Sequence, residues 1–441
     1  MEFNFLERFK GIEKIPKDPL NPWETGASFF TTGHMGPQIN AKLEAKAEKV
    51  HMSRRNFLKT ASGFAGVLLA VNEITGMRFF DVAPAEARDL EAGAELAAFR
   101  KAGKEFICDQ HTHICWRKDG YVLGKNTTQQ GMWFVDLLDG LGKAMGFKDG
   151  IRDMTVENFG KVILEESDTS MAIFNPFGFR EDYGGKDMVP MEEQAEVKKR
   201  WPDKTIMLAG GLTPNQGLSE TLNRMEMFVK EYKAEGLKLY TFDSTKQKGW
   251  WFDDQKLAYP MWEKARSLGV KNIGCHKGIP FGQFMARYAH PEDFDLVCDD
   301  FLDINWIAFH SAWPYQNELA ALKGFKPQRK NLYSELGSTF AATVTNRPIE
   351  CAHVLGTLVR DLGEDYVMWG TDSTLWANPQ WQIEAMRRFR IPDQLVEGHG
   401  YPQLTDEVKK KIFGQNAARL WGINVNTAMA DPKPVNPIVA V

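Results

Sequence analysis

The chain has 441 residues, of which 43% are hydrophobic and 25% charged, a composition that excludes disordered, collagen-like and coiled-coil proteins. Its 54 basic and 58 acidic side chains give a net charge of −4 and an isoelectric point near 6.2. Nucleic acid is therefore not an expected partner, because the chain has no overall positive field to attract a phosphate backbone.

The N-terminal region carries the pattern of a twin-arginine export signal. The sequence S-R-R-N-F-L-K at 53–59 precedes a weakly apolar run at 60–71 and the small-residue stretch A-P-A-E-A, which ends at Ala87. The apolar run has about 12 residues, whereas a helix needs about 20 to cross a bilayer. We therefore expect no stable transmembrane span. The alternative is an arginine pair at the start of an ordinary amphipathic helix.

These features predict three segments. Residues 1–87 form an N-terminal extension that is either cleaved after Ala87 or kept as a folded arm, 88–430 form the main domain, and 431–441 form a Pro-rich tail. If the signal is used, the twin-arginine export machinery is a partner and the protein is periplasmic. If it is not used, the protein is cytoplasmic.

Beyond Arg88, short apolar runs alternate with helical patterns such as 219–235 and 291–304, as in parallel sheets with crossover helices. The runs predict eight strands, at 106–114, 169–175, 205–210, 237–242, 271–275, 307–310, 331–334 and 366–370. Eight βα units in a span of about 250 residues are typical of a (β/α)8 TIM barrel, here with enlarged βα loops. The alternative is a doubly wound open sheet, but the turn after the first strand reads Q-H-T-H-I and contains no GxGxxG.

Metal-ligating side chains stand at the ends of four predicted strands. His111 and His113 are two residues apart at the end of the first strand, so both imidazoles can enter one space. His276, His310 and Asp372 end the fifth, sixth and eighth strands, and in a closed barrel these ends surround one point. Taken singly, each could instead cap a helix or lie in the core.

Two cysteines near the first strand are assigned by the same alternation. Cys115 shares the face of His111 and His113 and is expected to be a spectator at the site. Cys108 has the opposite parity and is expected to face the helix layer.

The strand-end pattern resembles the metal-dependent amidohydrolase superfamily, and within it the amidohydrolase-related group that includes aminocarboxymuconate-semialdehyde decarboxylase. The sequences D-Y-V-M-W-G-T-D-S (365–373) and I-F-G-Q-N-A-A-R-L-W-G (412–422) are also similar to this group, and the resemblance covers about 106–423. It implies one divalent metal ion, with zinc suited to the donor set. It implies as its ligands His111, His113, His276 and Asp372. His310 would hold or deprotonate the water bound to that ion.

Other charged and aromatic residues at predicted strand ends are candidate substrate contacts. Lys238 lies on the fourth strand, where some members of the superfamily carry a modified lysine that bridges two metals. Here it is expected either to pair with a substrate carboxylate or to extend its amine to solvent. The further candidates are Trp116, Arg117, Lys277 and Glu335.

The resemblance implies a hydrolase in which metal-activated water attacks an amide, ester or lactone of a small molecule, with Asp372 relaying a proton to the leaving group. Non-oxidative decarboxylation of an aromatic or unsaturated carboxylic acid would use the same residues and stays open. A non-catalytic, exported ligand-binding barrel also stays open, and it predicts no stoichiometric metal. The sequence does not decide whether the chain forms homo-oligomers.

Overall fold

A computed structural model describes residues 21–101, 105–116 and 127–429 of the chain. The first 20 residues, the predicted tail at 431–441 and Arg117 lie outside the described residues.

Eight parallel strands form one sheet in chain order. They are β1 Cys108–Thr112, β2 Met171–Phe174, β3 Thr205–Ala209, β4 Gly236–Tyr240, β5 Asn272–His276, β6 Asn305–Phe309, β7 Leu332–Glu335 and β8 Val367–Met368. The ring closes where Gln110 N donates to the carbonyl of Trp369 (3.0 Å) and His113 N donates to that of Ser373 (2.6 Å). The predicted TIM barrel is confirmed, and its closure excludes the open sheet.

Helices cover the outside of the barrel and fill the N-terminal extension. The α-helices are α1 Pro22–Thr32, α2 Gly36–Lys49, α3 Arg54–Phe57, α4 Ala61–Thr75, α5 Leu90–Lys101, α6 Gln129–Ala144, α7 Val156–Phe159, α8 Met191–Arg200, α9 Leu218–Lys230, α10 Tyr259–Ser267, α11 Phe294–Asp300, α12 Gln316–Gly324, α13 Gly337–Asn346, α14 Pro348–Thr357, α15 Gln380–Arg388, α16 Asp393–His399, α17 Asp406–Lys410, α18 Asn416–Trp421 and α19 Val425–Met429. Short 3₁₀ turns lie at Gly150–Asp153, Arg180–Asp182, Ala286–Ala289, Pro291–Asp293, His310–Ala312 and Glu364–Tyr366. Wider π-helical turns lie at Gly160–Glu165, Leu358–Gly363 and Lys411–Gln415.

The barrel interior is a packed apolar cluster below the strand ends. Alternate strand residues such as Ile173, Leu208 and Phe309 form it, and Cys108 belongs to it as well. The prediction that Cys108 faces the helices is therefore wrong. The pairing of β1 with β2 shifts register between Asp109 and Thr112, and such a bulge breaks the two-residue alternation on which the prediction relied.

The N-terminal extension is folded against the barrel. Helix α1 packs on α13 and α15, and residue Phe80 forms a β-bridge with Phe389. Glu86 is buried and forms an ion pair with the buried Arg388 at 3.2 Å. These contacts place Glu86, the residue just before Ala87, in the interior of the molecule, whereas residues 83–85 are exposed.

The predicted signal elements have defined places in this extension. The arginines Arg54 and Arg55 are exposed on the short helix α3, and the apolar run becomes α4, which packs on α1, α2 and α5. In the part of the chain that the structure describes, no helix combines the length and apolar character of a membrane span. Export and cleavage stay predictions.

Replacing Phe80 with Ala should lower the free energy of unfolding by about 3–5 kcal/mol, because it leaves a cavity between the extension and the barrel. Phe80 is 1% exposed, and its ring centroid lies 5.6 Å from that of Phe389 and 6.0 Å from that of Phe30. Urea unfolding of the full chain measures the loss. Leu302, which is 74% exposed, is the control, and L302A should change stability by about 0.5 kcal/mol or less. Equal stability of both variants would contradict docking of the extension.

Candidate metal centre

The barrel brings all five predicted strand-end groups into one buried cluster. Asp372 Oδ1 lies 3.5 Å from His111 Nε2 and 3.2 Å from His113 Nε2. His310 Nε2 lies 3.1 Å from His276 Nδ1, and the rings of His111 and His310 are 4.8 Å apart. Each of the five residues is at most 7% exposed. Side chains up to 261 positions apart in sequence therefore share one water-poor space at the C-terminal end of the barrel.

Hydrogen bonds orient both histidines of β1. The Nδ1–H of His113 donates to the backbone carbonyl of Asn175 at 2.7 Å, and its ring stacks on Phe177 at 4.2 Å. The Nδ1–H of His111 donates to Glu335 Oε2 at 3.1 Å. A neutral imidazole that donates through Nδ1 carries a lone pair on Nε2, so both Nε2 atoms present lone pairs to Asp372.

This arrangement of acceptors fits a bound cation. Burial lowers the pKa of His111 and His113, so the imidazoles are neutral at pH 7. Burial acts to raise the pKa of Asp372, but interactions that include a hydrogen bond from Ser338 hold it below its usual value. Both nitrogen lone pairs lie 3.5 Å or less from a carboxylate oxygen and repel it, and a cation among these atoms would relieve that repulsion. Imidazoles and a carboxylate are ligands that Zn²⁺ prefers.

The other two histidines, His276 and His310, form a hydrogen bond through their ring nitrogens. The Nε2–H of His276 donates to the carbonyl of Ile279 at 3.3 Å, so Nδ1 of His276 accepts from the Nε2–H of His310. His310 Nδ1 then carries a lone pair and has no hydrogen-bond partner within the described chain. Burial lowers the pKa of His310 well below its usual value and that of His276 to about 3, which keeps both rings neutral.

The relative positions of His276 and His310 differ from the predicted division of roles. Ligand atoms of His111, His310 and Asp372 lie within 4.8 Å of one another, and this group of described residues includes neither His276 nor His113. His276 instead stands behind His310 and orients it. The sequence pattern could not show this order, because both residues simply end neighbouring strands.

Glu335 holds His111 instead of facing a substrate. Its Oε2 accepts the Nδ1–H of His111 and, at 3.2 Å, the backbone N–H of His310. Burial raises the pKa of Glu335 well above its usual value, and any added proton would belong on Oε1, which has no partner in the described chain. The prediction that Glu335 contacts substrate is therefore corrected: Glu335 orients His111 and accepts a hydrogen bond from the backbone of His310.

Two glycines border these groups at positions where a side chain would collide with them. A Cβ on Gly337, whose φ is +45°, would lie 2.8 Å from His310 Nδ1 and 2.9 Å from His111 Nδ1. A Cβ on Gly370 would lie 1.7 Å from Glu335 Oε1. Sequence analysis missed both glycines, although each stands within two residues of a predicted strand-end ligand or carboxylate.

Two further residues predicted to contact substrate, Lys238 and Trp116, have different surroundings. Lys238 is fully buried inside the barrel, with Nζ 4.1 Å from the ring centroid of Phe309 and no hydrogen-bond partner in the described chain. Burial lowers its pKa to about 8. It does not extend to solvent. Trp116 is half-buried beneath the guanidinium of Arg152, at 5.7 Å.

Lys277 points away from the cluster. Its Nζ lies 2.7 Å from Asp293 Oδ2, and both side chains are fully buried. The prediction that Lys277 contacts substrate is wrong, because the residue after His276 faces the opposite side of the strand and finds its counter-ion in the helix layer.

Phenylalanine rings cover the cluster. The ring of Phe177 stacks on that of His113. The ring centroids of Phe242 and Phe281 lie 5.2 and 5.6 Å from that of His276. Phe252, in the loop after β4, lies elsewhere and contacts Trp306 in the helix layer. The motif F-N-P-F-G-F at 174–179 was the sequence signal for this wall.

Replacing Gly337 with Ala should weaken metal binding by about tenfold or more, because the added methyl group displaces the rings of His111 and His310. Affinity for Zn²⁺ is measured by competition with a chelator. Gly398 in α16 has open space around its Cβ position, so G398A should leave affinity unchanged and stabilise the helix by about 0.5–1 kcal/mol. Unchanged affinity in G337A would contradict the geometry described above.

Replacing Lys277 with Met should destabilise the fold by about 3–5 kcal/mol, because it leaves Asp293 buried without a counter-ion. The double variant K277M/D293L should recover most of that loss in thermal or urea unfolding. Lys326 is the control, since it pairs at 2.7 Å with Asp295 near the surface and K326M should cost about 1 kcal/mol or less. A harmless K277M would return Lys277 to the list of candidate substrate contacts.

Comparison with known proteins supplies a family and a set of similar folds. A family model described as amidohydrolase matches residues 165–423, a range that includes His276, His310 and Asp372 and begins after His111 and His113. No curated protein matches the chain in sequence.

Solved structures with a similar fold include three enzymes of 12–16% sequence identity. A 2,6-dihydroxybenzoate decarboxylase from Rhizobium is 14% identical, with a TM-score of 0.44 over 72% of this chain and 98% of that one. A dihydroxybenzoic acid decarboxylase from Polaromonas sp. JS666, with bound manganese and 2-nitroresorcinol, is 16% identical, with a TM-score of 0.45 over 73% and 98%. A probable 2-pyrone-4,6-dicarboxylic acid hydrolase from Acinetobacter baumannii is 12% identical, with a TM-score of 0.42 over 72% and 99%. At these values the similarity carries no information about activity.

Proposed function

The chain belongs to the amidohydrolase family, and we propose that it is a metal-dependent hydrolase that cleaves an amide, ester or lactone bond of a small organic substrate. One observation supports the proposal: the Nε2 lone pairs of His111 and His113 and the Oδ1 of Asp372 converge in a buried space where a bound cation would relieve their repulsion.

His111, His113 and Asp372 would hold the ion, and we propose Zn²⁺ because of the donor set. A divalent ion there would polarise the substrate carbonyl and bring the pKa of a water molecule near 7. Glu335 and the carbonyl of Asn175 hold the two imidazoles in the tautomer that ligation requires. His276, predicted as a ligand, orients His310 in this structure.

His310 is the proposed general base. Its Nδ1 lone pair has no other partner in the described chain, and its ring is neutral, so it can accept a proton from the attacking water. The water oxygen bonds to the carbonyl carbon, the bond to the leaving nitrogen or oxygen breaks, and the proton passes to that leaving atom. Asp372 is the second group placed to carry it. Phenylalanine rings around the cluster exclude bulk water and favour a flat or apolar substrate.

A second candidate is non-oxidative decarboxylation of an aromatic or unsaturated carboxylic acid. Lys238 favours it, because a buried ammonium group without a hydrogen-bond acceptor in the described chain would gain a counter-ion from a substrate carboxylate. In this reaction the bond between the carboxylate carbon and the ring or alkene carbon breaks, carbon dioxide leaves, and the remaining carbon takes up a proton. His310 would carry that proton.

The test combines metal analysis with two assays on the full chain. We expect about one zinc ion per chain, loss of activity after chelation, and turnover of lactone, ester or amide substrates without release of carbon dioxide. Release of carbon dioxide from aromatic carboxylates would select the decarboxylase instead. Protein that binds small molecules but holds no metal and turns nothing over would favour the non-catalytic barrel.

Single substitutions separate the roles. H111A should lose the metal, whereas H310A should keep it and lose about 10²–10⁴-fold in kcat. His353, which donates to or accepts from Tyr401 at 3.0 Å and is half-buried in α14, is the control, and H353A should retain full turnover. If H310A loses the metal, His310 is a ligand and the assignment of the base is wrong.

A further inference from the structure

We propose that Trp376, Ser338 and the N-terminal residue Phe29 position Asp372, so that helix α1 of the extension supports the metal centre. This inference rests on the proposed function. It concerns residues that neither the family pattern nor the strand-end argument singles out. Their contacts connect the buried helix α1, through the indole of Trp376 and the hydroxyl of Ser338, to the carboxylate of Asp372.

The side chains of Trp376, Ser338 and Asp372 form two consecutive hydrogen bonds, and their chemistry determines which group donates in each. The indole Nε1–H of Trp376 can only donate, and it donates to Ser338 Oγ at 2.7 Å. A serine hydroxyl has a single proton, which is therefore free to donate to Asp372 Oδ2, and Ser338 makes this hydrogen bond. Because Oδ2 of Asp372 accepts this hydrogen bond, Oδ1 is the oxygen that faces His111 and His113.

The indole of Trp376 rests on the extension. Its ring centroid lies 4.9 Å from that of Phe29, and the two side chains are 5% and 2% exposed. Phe29 also lies 5.2 Å from the ring of Trp381, so it fills the space between two tryptophans. Without the phenyl ring, the indole would border a cavity and lose the contact that holds its N–H toward Ser338.

Helix α1 is built to approach this part of the barrel closely. A Cβ on Gly26 would lie only 2.7 Å from the Cβ of Trp381, so a glycine is required where α1 crosses α15. The same helix packs on α13, whose second residue is Ser338. Both partners of the indole-to-hydroxyl hydrogen bond therefore depend on α1 for their position.

The consequence concerns the segment that the sequence marks as removable. Cleavage after Ala87 would take Phe29 away from Trp376 and remove the support of Asp372. The structure thus assigns residues 22–32 a part in the metal centre, which requires that they stay with the folded barrel.

The first experiment measures the affinity of the full chain for Zn²⁺ by competition with a chelator. W376F and S338A should each bind about 10–100-fold more weakly, and the double variant no more weakly than either single one, because both act through one hydrogen-bond chain. S338T keeps the hydroxyl and should bind like the wild type. The control W306F removes a buried indole N–H that has no partner in the described chain, and its affinity should not change.

The second comparison uses two neighbouring buried residues of α1. Phe29 faces Trp376, whereas Phe30 packs on Phe64 and Phe80, each at 6.0 Å. F29A and F30A should lower the thermal stability to a similar extent, but only F29A should weaken Zn²⁺ binding. Equal affinities of the two variants, or additive losses in W376F/S338A, would overturn the proposal.

A third readout needs no metal. Hydrogen exchange of the Trp376 indole proton, assigned through its absence in W376F, should be slow in the metal-free chain and about tenfold faster in F29A than in F30A. If the wild type binds no metal, the proposed metal centre fails, and the exchange rates still decide whether Phe29 holds Trp376. Equal exchange in F29A and F30A would overturn the positioning role.

Discussion

The pairing of the first and last strands is the interaction on which the site depends. Where His113 donates to the carbonyl of Ser373, the end of β1 is fastened to the turn that carries Asp372. A buried carboxylate strengthens this junction, because Asp109 accepts the backbone N–H groups of both His111 and Thr371. Burial raises the pKa of Asp109 to about 7, and these hydrogen bonds offset part of the cost of keeping it in the interior. The hydrogen bonds that close the barrel therefore also bring His111 and His113 close to Asp372.

Desolvation then determines the chemistry of the cluster. Because the imidazoles are buried, their neutral forms are favoured, and each neutral ring has one donor and one acceptor nitrogen whose positions are set by a carbonyl or a carboxylate. The same burial makes every unpaired charge costly. Lys277 is accordingly paired with Asp293, whereas Lys238 has no hydrogen-bond acceptor among the residues that the structure describes. Both His310 and Asp372 also adopt φ of +60°, a costly conformation for residues with a Cβ that the surrounding packing must maintain.

The N-terminal extension shows how one sequence pattern can serve two physical purposes. Small and apolar residues at 60–71 suit an export signal, and they equally suit a helix that is buried among others. In the structure they pack in α4, whose neighbour α1 reaches the tryptophans behind Asp372. The paired arginines remain exposed on α3, where their charge needs no partner in the core.

The sequence by itself determined the eight strands and the identity of the clustered side chains. Apolar runs of strand length and polar residues at their ends are local features, and a barrel of parallel strands must collect those ends on one face. Only the tertiary structure decided which oxygen and nitrogen atoms meet. A bulge in β1 placed Cys108 inside the barrel, Glu335 contacts His111, and His310 lies between His276 and His111. The support of Asp372 by Phe29 was equally invisible, because the two residues are joined by packing and hydrogen bonds across the fold and by no periodicity along the chain.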